Sequence, residues 1–264
     1  MKLTILGSGT YQPELERHCS AYLVETEKSK VCFDFGRGAV DQLLKIGVHV
    51  NQIDAVFISH WHPDHVSDLL SLAHITIAAP ADLAIDWTPR KAPLLIYGPK
   101  DTIEKFNYLR KATFLDYINL EGKIELKELL EATIEGTDWQ VKSFVTEHIP
   151  AKIKIETPAL CYRFESDGKT LAYSGDTIDT EGLRKAAEGA SLAVIEAGWP
   201  EVVKPHSHLT GTRAGKIATE SNVKKLVLTH MAPYYLKGFD PKKEAEQYFQ
   251  GEVILAKDLL AIQI

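Results

Sequence analysis

Short apolar runs recur along the chain, separated by polar turns or by stretches with a helical period. Residues 1–6 read as a strand running into Gly7-Ser8-Gly9, and residues 20–25 and 31–35 as two strands joined by a polar turn. Gly36 and Gly38 then open a helix over 39–46, where Val40, Leu43, Leu44 and Ile46 keep the period. Residues 54–58 are a strand, and 66–79 a helix with Leu69, Leu70 and Leu72 on its apolar face. Residues 80–93 carry three prolines and read as a surface excursion. Leu94 to Tyr97 form a strand that stops at Gly98-Pro99, and a helix follows over 101–112. The pattern predicts β-hairpin regions over 122–147 and 159–174, the second turning at Asp167-Gly168. Beyond it, helices (181–188, 210–221, 241–249) alternate with strands (192–195, 226–229, 253–255), and a last strand covers 259–263. No linker or short-period repeat divides this order, which predicts one α/β domain over 1–264, with sheets stacked inside and helices on both outer faces.

Composition changes this picture little. The 264 residues are 45% hydrophobic and 25% charged, as in ordinary globular chains. No run approaches the roughly 18–20 apolar residues of a membrane span. The first strand is broken by glycine too early for a signal peptide, so the expectation is a cytoplasmic protein without a membrane partner. Cys19, Cys32 and Cys161 are odd in number and widely spaced, which favours buried free thiols over a disulfide framework. A net charge of −6 argues against a dedicated binder of long nucleic acid, although a local basic patch would leave that partner open.

The chemistry begins at His60-Trp61-His62-Pro63-Asp64-His65, just past a strand end. Three imidazoles and a carboxylate at this density suit zinc or a similar divalent ion. Residues two apart on a helix face different ways, so His60 and His62 belong on a loop, with Pro63 stiffening the turn before Asp64 and His65. So many ligands would crowd one tetrahedral ion; two ions about 3.5–4 Å apart would use them better. A solvated His-rich loop is the plainer alternative, and the strand-loop-helix context disfavours it.

This run is the HxHxDH signature of the metallo-β-lactamase superfamily, and the chain resembles the ribonuclease Z branch along its length. The likeness is carried by Leu6-Gly7-Ser8-Gly9-Thr10, Tyr22 to Glu25, Phe33-Asp34-Phe35-Gly36, Tyr97-Gly98-Pro99, Ala159 to Phe164, Leu171 to Thr177 and Leu228-Thr229-His230. It implies a four-layered αββα sandwich with two divalent metal ions, zinc first, manganese as an alternative and iron less fitting. By this resemblance His60, His62 and His148 hold one ion, Asp64, His65 and His230 the other, and Asp176 bridges them. Water activated between the two ions would attack a phosphodiester, with Asp64 holding it. His208 resembles the branch's proton donor to the leaving group, and Glu196 resembles the carboxylate that orients it.

The chain departs from the branch at two places. Ribonuclease Z carries a long Gly/Pro-rich arm that grips transfer RNA, whereas only residues 165–173 separate Phe164 from Ser174 here. The arginine shortly after the last ligand histidine is also missing. The expectation is therefore a two-metal hydrolase acting on a phosphodiester or another small-molecule substrate. A lactone, thioester or sulfate ester on the same site is a second reading, and a non-catalytic metal-stabilised binding module a third. Arg17, Lys152, Lys154, Lys204 and Arg213 are candidate phosphate partners, with solvated surface charge as the plainer reading. Trp61, Trp87 and Trp199 are candidates for an apolar pocket wall. A homodimer is a further expectation, through residues 80–93 or the helix before them.

Overall fold

The computed structural model describes residues 1–78, 90, 92–149, 158–203, 205–233 and 238–264. The strands segregate by halves of the chain. A first sheet takes β1 (Lys2–Gly7), β2 (Ala21–Glu25), β3 (Lys30–Phe35), β4 (Ala55–Phe57), β5 (Leu94–Gly98) and β6 (Ile124–Glu128). A second takes β7 (Ala132–Glu135), β8 (Gln140–Glu147), β9 (Pro158–Ser166), β10 (Lys169–Tyr173), β11 (Leu192–Glu196), β12 (Lys225–Thr229) and β13 (Glu252–Leu255). The chain then returns to the first sheet as β14 (Ala261–Gln263), which pairs antiparallel with β1 so that Lys2 faces Gln263.

The two-residue alternation of the strands sorts side chains into three cores. Val31, Phe33, Phe57, Tyr162, Phe164, Tyr173 and Val194 fill the space between the sheets. Cys32, Val56 and Ile96 face the other way, against α1 (Ala39–Lys45), α3 (Leu69–Ala78) and α4 (Thr102–Ala112). Ala172, Ile195 and Leu228 face α5 (Glu181–Ala187), α6 (Gly211–Glu220) and α7 (Pro241–Glu246). Three cores between four layers are the αββα sandwich that the sequence predicts.

Two expectations are corrected. Residues 122–147 are not one hairpin: β6 pairs parallel with β5, and only β7 and β8 pair antiparallel, so the segment crosses from one sheet to the other. The helix over 66–79 is two pieces, α2 (Pro63–Val66) and α3. The break falls at Ser67-Asp68, where the Asp68 carboxylate accepts the backbone N–H groups of Gly38 and Val40 at 2.9 and 3.2 Å and ties the turn to the start of α1. The β9–β10 hairpin closes through Asp167 and Gly168, both left-handed (φ 49° and 66°), leaving no room for an arm. Cys19, Cys32 and Cys161 are free and buried. Among the described residues, no helix is long and apolar enough to cross a membrane.

The core between the sheets becomes polar at one rim. Tyr162 donates its hydroxyl to Ile58 O at 2.6 Å, Tyr173 donates to Asp34 at 2.5 Å, and the Tyr22 hydroxyl meets that of Thr229 at 2.7 Å. These rings pack in the core while their oxygens brace the loops above it.

Candidate metal centre

That rim is formed by the carboxyl ends of β3, β4, β8, β10, β11 and β12. The parallel pairs β3–β4, β10–β11 and β11–β12 point their ends one way. β8 joins them because it is antiparallel to β9, which is antiparallel to β10. The sequence-predicted residues follow these ends: His60 to His65 after β4, His148 after β8, Asp176 after β10, Glu196 at the end of β11 and His230 after β12. Within α2, Pro63 takes the first turn, where its missing N–H costs nothing, and Asp64 follows it.

The structure brings all seven predicted ligands together. Donor atoms of His60, His62 and His148 form one group, and those of Asp64, His65, Asp176 and His230 a second. In the first, His62 Nδ1 and His148 Nε2 lie 3.1 Å apart. In the second, His230 Nε2 is 3.3 Å from Asp64 Oδ2 and 3.3 Å from Asp176 Oδ1, and His65 Nε2 is 3.3 Å from the same Asp176 oxygen. Asp176 faces both groups, because its Oδ2 lies 3.9 Å from His60 Nε2 and 4.0 Å from His148 Nε2. Ligands held by bonds of about 2.0–2.1 Å around a tetrahedral ion are separated by about 3.3 Å, so the 3.1–3.3 Å spacings within each group fit, while Asp176 stands farther from the first group.

The unpaired atoms test the fit independently. His60 Nε2, His65 Nε2 and Asp176 Oδ1 are buried and make no hydrogen bond. Each buried polar atom left in that state costs about 1–3 kcal/mol, and a cation among them would remove the cost. The opposite ring nitrogens are already engaged. His148 Nδ1 donates to Ser207 O at 3.0 Å, His65 Nδ1 to Asp34 Oδ2 at 2.6 Å, and His60 Nδ1 lies 3.1 Å from Ser59 Oγ. Such partners fix the ring and aim the free nitrogen inward.

Asp34 is the residue that sequence reasoning missed. It is fully buried at the end of β3 with a left-handed backbone (φ 54°). Its Oδ1 accepts Ser59 N–H at 2.7 Å; its Oδ2 accepts Ser59 Oγ–H at 2.7 Å, His65 Nδ1–H and Tyr173 O–H. An acid between two phenylalanines, Phe33-Asp34-Phe35, was the available signal, since a buried carboxylate needs such partners.

Electrostatics within the protein follow from burial and this crowd of charges. Burial drives His60 well below its ordinary pKa, and neighbouring imidazoles add to that. Burial likewise pushes His148 down to about 4 despite the Asp176 carboxylate. His65 goes the other way, since Asp176 and Asp34 outweigh its burial and hold it well above the imidazole range. Burial would raise Asp176, but His230, His65 and His208 hold it well below the carboxylate range. Protons and dications compete for these sites, so metal uptake would expel the His65 proton.

His208 sits beside the second group, with Nδ1 3.0 Å from Glu196 Oε2 and 3.8 Å from Asp176 Oδ2. Burial opposes its charging, and Glu196 overcomes that to raise it to about 9. Glu196 is itself raised by burial, which His208 partly offsets, and it also accepts Thr177 N–H at 2.7 Å. His208, 15% exposed, and the half-buried His62 lie at the open side of the site, whereas His60, His65, His148 and His230 are buried. Of the proposed phosphate partners, Arg17 donates to Ser8 Oγ and Ala256 O, and Arg213 donates to Pro205 O. Both guanidinium groups serve the fold. Lys152, Lys154, Lys204, Trp87 and most of 80–93 lie outside the described residues.

Comparison with known proteins agrees with this geometry. Residues 31–231 match the Beta-lactamase superfamily domain. The chain is 27% identical to ribonuclease Z of Methanosarcina acetivorans over all of this chain and 98% of that protein. That alignment runs over 312 residues, so the relative carries segments that these 264 residues lack. Among solved structures, the metallo-beta-lactamase fold protein YhfI from Bacillus subtilis superposes with a TM-score of 0.79 at 22% identity, covering 99% of this chain and 98% of that one. Human tRNase Z, short form, superposes with a TM-score of 0.76 at 24% identity, covering 100% and 99%. The chain belongs to the metallo-β-lactamase superfamily.

Proposed function

We propose that this chain is a two-metal phosphodiesterase of the ribonuclease Z kind that works without a transfer-RNA-gripping arm. The observation that carries this is the pairing of two ligand groups across Asp176 with the His208–Glu196 pair directly beside them. In this proposal His60, His62 and His148 hold one ion, Asp64, His65 and His230 the other, and Asp176 both. Zinc suits the imidazole-rich set best, with manganese second. Bound there, two dications supply positive charge to the reacting phosphate and lower the pKa of water toward about 7. The remaining work falls to the chain. Asp64 has a second oxygen with which to accept a hydrogen bond from the attacking water and hold it in line. His208 Nδ1 is engaged by Glu196, so its Nε2–H is the proton available to the departing alkoxide. Glu196 stabilises the imidazolium before that transfer.

Relatives named ribonuclease Z support the phosphodiester as substrate, and the closed β9–β10 hairpin supports one smaller than transfer RNA. The pairing of β1 with β14 supports taking 1–264 as one domain, and three buried free thiols suit a reducing cytoplasm. A homodimer belongs to the same proposal, with Tyr108, Phe114 and Tyr117 as exposed apolar surface on and after α4. The test is a panel of phosphodiester, phosphomonoester, lactone and thioester substrates, run on zinc-loaded parent and His208→Ala. Turnover of the phosphodiester, sharply reduced in the variant, is expected. Faster turnover of a lactone or thioester would replace this function with the second reading.

A further inference from the structure

We propose that Asp258, on the turn between β13 and β14, is a positioning residue for the candidate ligand His230 and acts on it through Ser8 and Met231. This rests on the two-metal reading above and adds a residue that sets the affinity for the ion of Asp64, His65 and His230.

His230 differs from the histidines around it. The outer ring nitrogens of His65 and His148 are held by Asp34 and Ser207, whereas His230 Nδ1 is buried and makes no hydrogen bond among the described residues. With no partner on that nitrogen, the ring takes its direction from the backbone. That backbone is left-handed (φ 57°), a conformation that a residue with a Cβ keeps only where its surroundings impose it. The next residue supplies such a restraint. Met231 donates its N–H to Ser8 O at 2.9 Å, and Gly9 and Met231 pair as a single parallel bridge.

Ser8 is held in turn by Asp258. Its N–H and Oγ–H both donate to Asp258 Oδ1, at 3.0 and 2.8 Å, and its Oγ accepts Arg17 at 2.7 Å. Asp258 Oδ2 accepts the backbone N–H of His18 at 2.7 Å and Gln42 Nε2–H at 3.2 Å, and lies 2.7 Å from His18 Nδ1. One carboxylate thus ties together the loop after β1, the approach to β2 and α1. The turn that carries it has restraints of its own. Ala256 N–H donates to Leu228 O at 2.8 Å, Leu259 N–H to Ile5 O at 2.6 Å and Ile5 N–H to Leu260 O at 2.9 Å. Those bonds do not involve the carboxylate, so Asp258→Ala releases Ser8 while the turn stays in place. The disturbance then reaches His230 through Met231.

The test titrates zinc into the metal-free full chain against a competing chelator, as parent, Asp258→Ala and Ser8→Ala. Asp258→Ala should weaken binding at Asp64–His65–His230 by about tenfold, the low end of what losing an outer partner does to a metal site, and leave His60–His62–His148 near the parent's affinity. Repeating the titration in a His62→Ala background assigns the step, since only the second group is then intact. Ser8→Ala removes the hydroxyl link and keeps the backbone bonds, so it should act in the same direction more weakly, and it decides the matter if Asp258→Ala does not fold. Adding it to Asp258→Ala should cost little more than Asp258→Ala alone. Amide exchange in the metal-free protein is an arm independent of metal: Met231 N–H should exchange faster in Asp258→Ala while β12 stays as protected as in the parent. Unchanged affinity for both ions would overturn the proposal, because the brace would then stop short of the ligand. An equal loss at both ions would overturn it too, because Asp258 would then merely support the fold. A parent that binds two ions and turns over no phosphodiester would sink the phosphodiesterase reading and keep this one. A parent that binds no second ion would sink the two-metal reading and this proposal together.

Discussion

Replacing Asp34 by asparagine preserves shape and removes one buried charge. The carboxylate is surrounded by donors only: Ser59 N–H on Oδ1, and Ser59 Oγ–H, His65 Nδ1–H and Tyr173 O–H on Oδ2. An amide cannot satisfy both sides. With its oxygen toward His65, the NH2 group faces Ser59 N–H; flipped, the NH2 faces the other three donors. At least one buried donor then loses its acceptor, at about 1–3 kcal/mol. Part of that strain falls on His65, whose Nε2 points toward Asp64 and Asp176. Removing such a partner of a metal-binding histidine typically weakens metal affinity by about 10–100-fold, or about 1.4–2.8 kcal/mol. The assay is a zinc titration of metal-free parent and Asp34→Asn against a competing chelator. The larger weakening should appear at the Asp64–His65–His230 group, where Asp34 holds a ligand directly, and a smaller one at the His60–His62–His148 group, which Asp34 reaches only through Ser59. Equal affinity for both ions in the two proteins would refute the orienting role of Asp34.

Other expectations follow from the same geometry. His208→Ala should slow release of an alkoxide by about 10²–10⁴-fold and release of p-nitrophenolate far less, because only the first needs a proton. A uniform loss on both, read by steady-state kinetics, would remove the proton-donor role. In the metal-free protein, His148 has a folded pKa of about 4, below its unfolded value of about 6.5, so the unfolded chain takes up the proton first as pH falls. Its contribution is therefore complete above about pH 6.5 and lost toward pH 4, amounting to about 3 kcal/mol, and urea midpoints across that window should fall less steeply in His148→Asn. Identical slopes would contradict this. Gly198→Ala should destabilise the fold by about 1–3 kcal/mol through overpacking against His230, seen as a lower denaturation midpoint; an unchanged midpoint would show that the backbone there yields.

The candidate metal groups were legible because each predicted ligand follows an apolar strand whose end is visible in sequence. The run from His60 to His65 also announces its chemistry by density. His148, Asp176 and His230 are single residues, identified through the resemblance and then brought to the rim by the parallel directions of β8, β10 and β12. What stayed hidden depends on contacts distant in sequence. Asp34 meets Tyr173 across the two sheets, and nothing local to Phe33-Asp34-Phe35 reveals that partner. The break at Asp68 is set by N–H groups of α1 and its preceding glycine, so the apolar period runs straight through it. Strand β6 carries hairpin-like alternation, yet it pairs with β5, because period alone does not say which sheet a strand joins. Likewise Arg17 reads as a free cation in sequence, and the carbonyl of Ala256, from the far end of the chain, accepts its hydrogen bond.

The most direct test is metal content measured together with phosphodiester hydrolysis as metal-free protein is titrated with zinc. Two ions per chain are expected, with activity rising as the second binds, and His62→Ala should hold one ion and show no turnover. A fully loaded parent that binds a single ion, or binds two and hydrolyses no phosphodiester, would contradict the account.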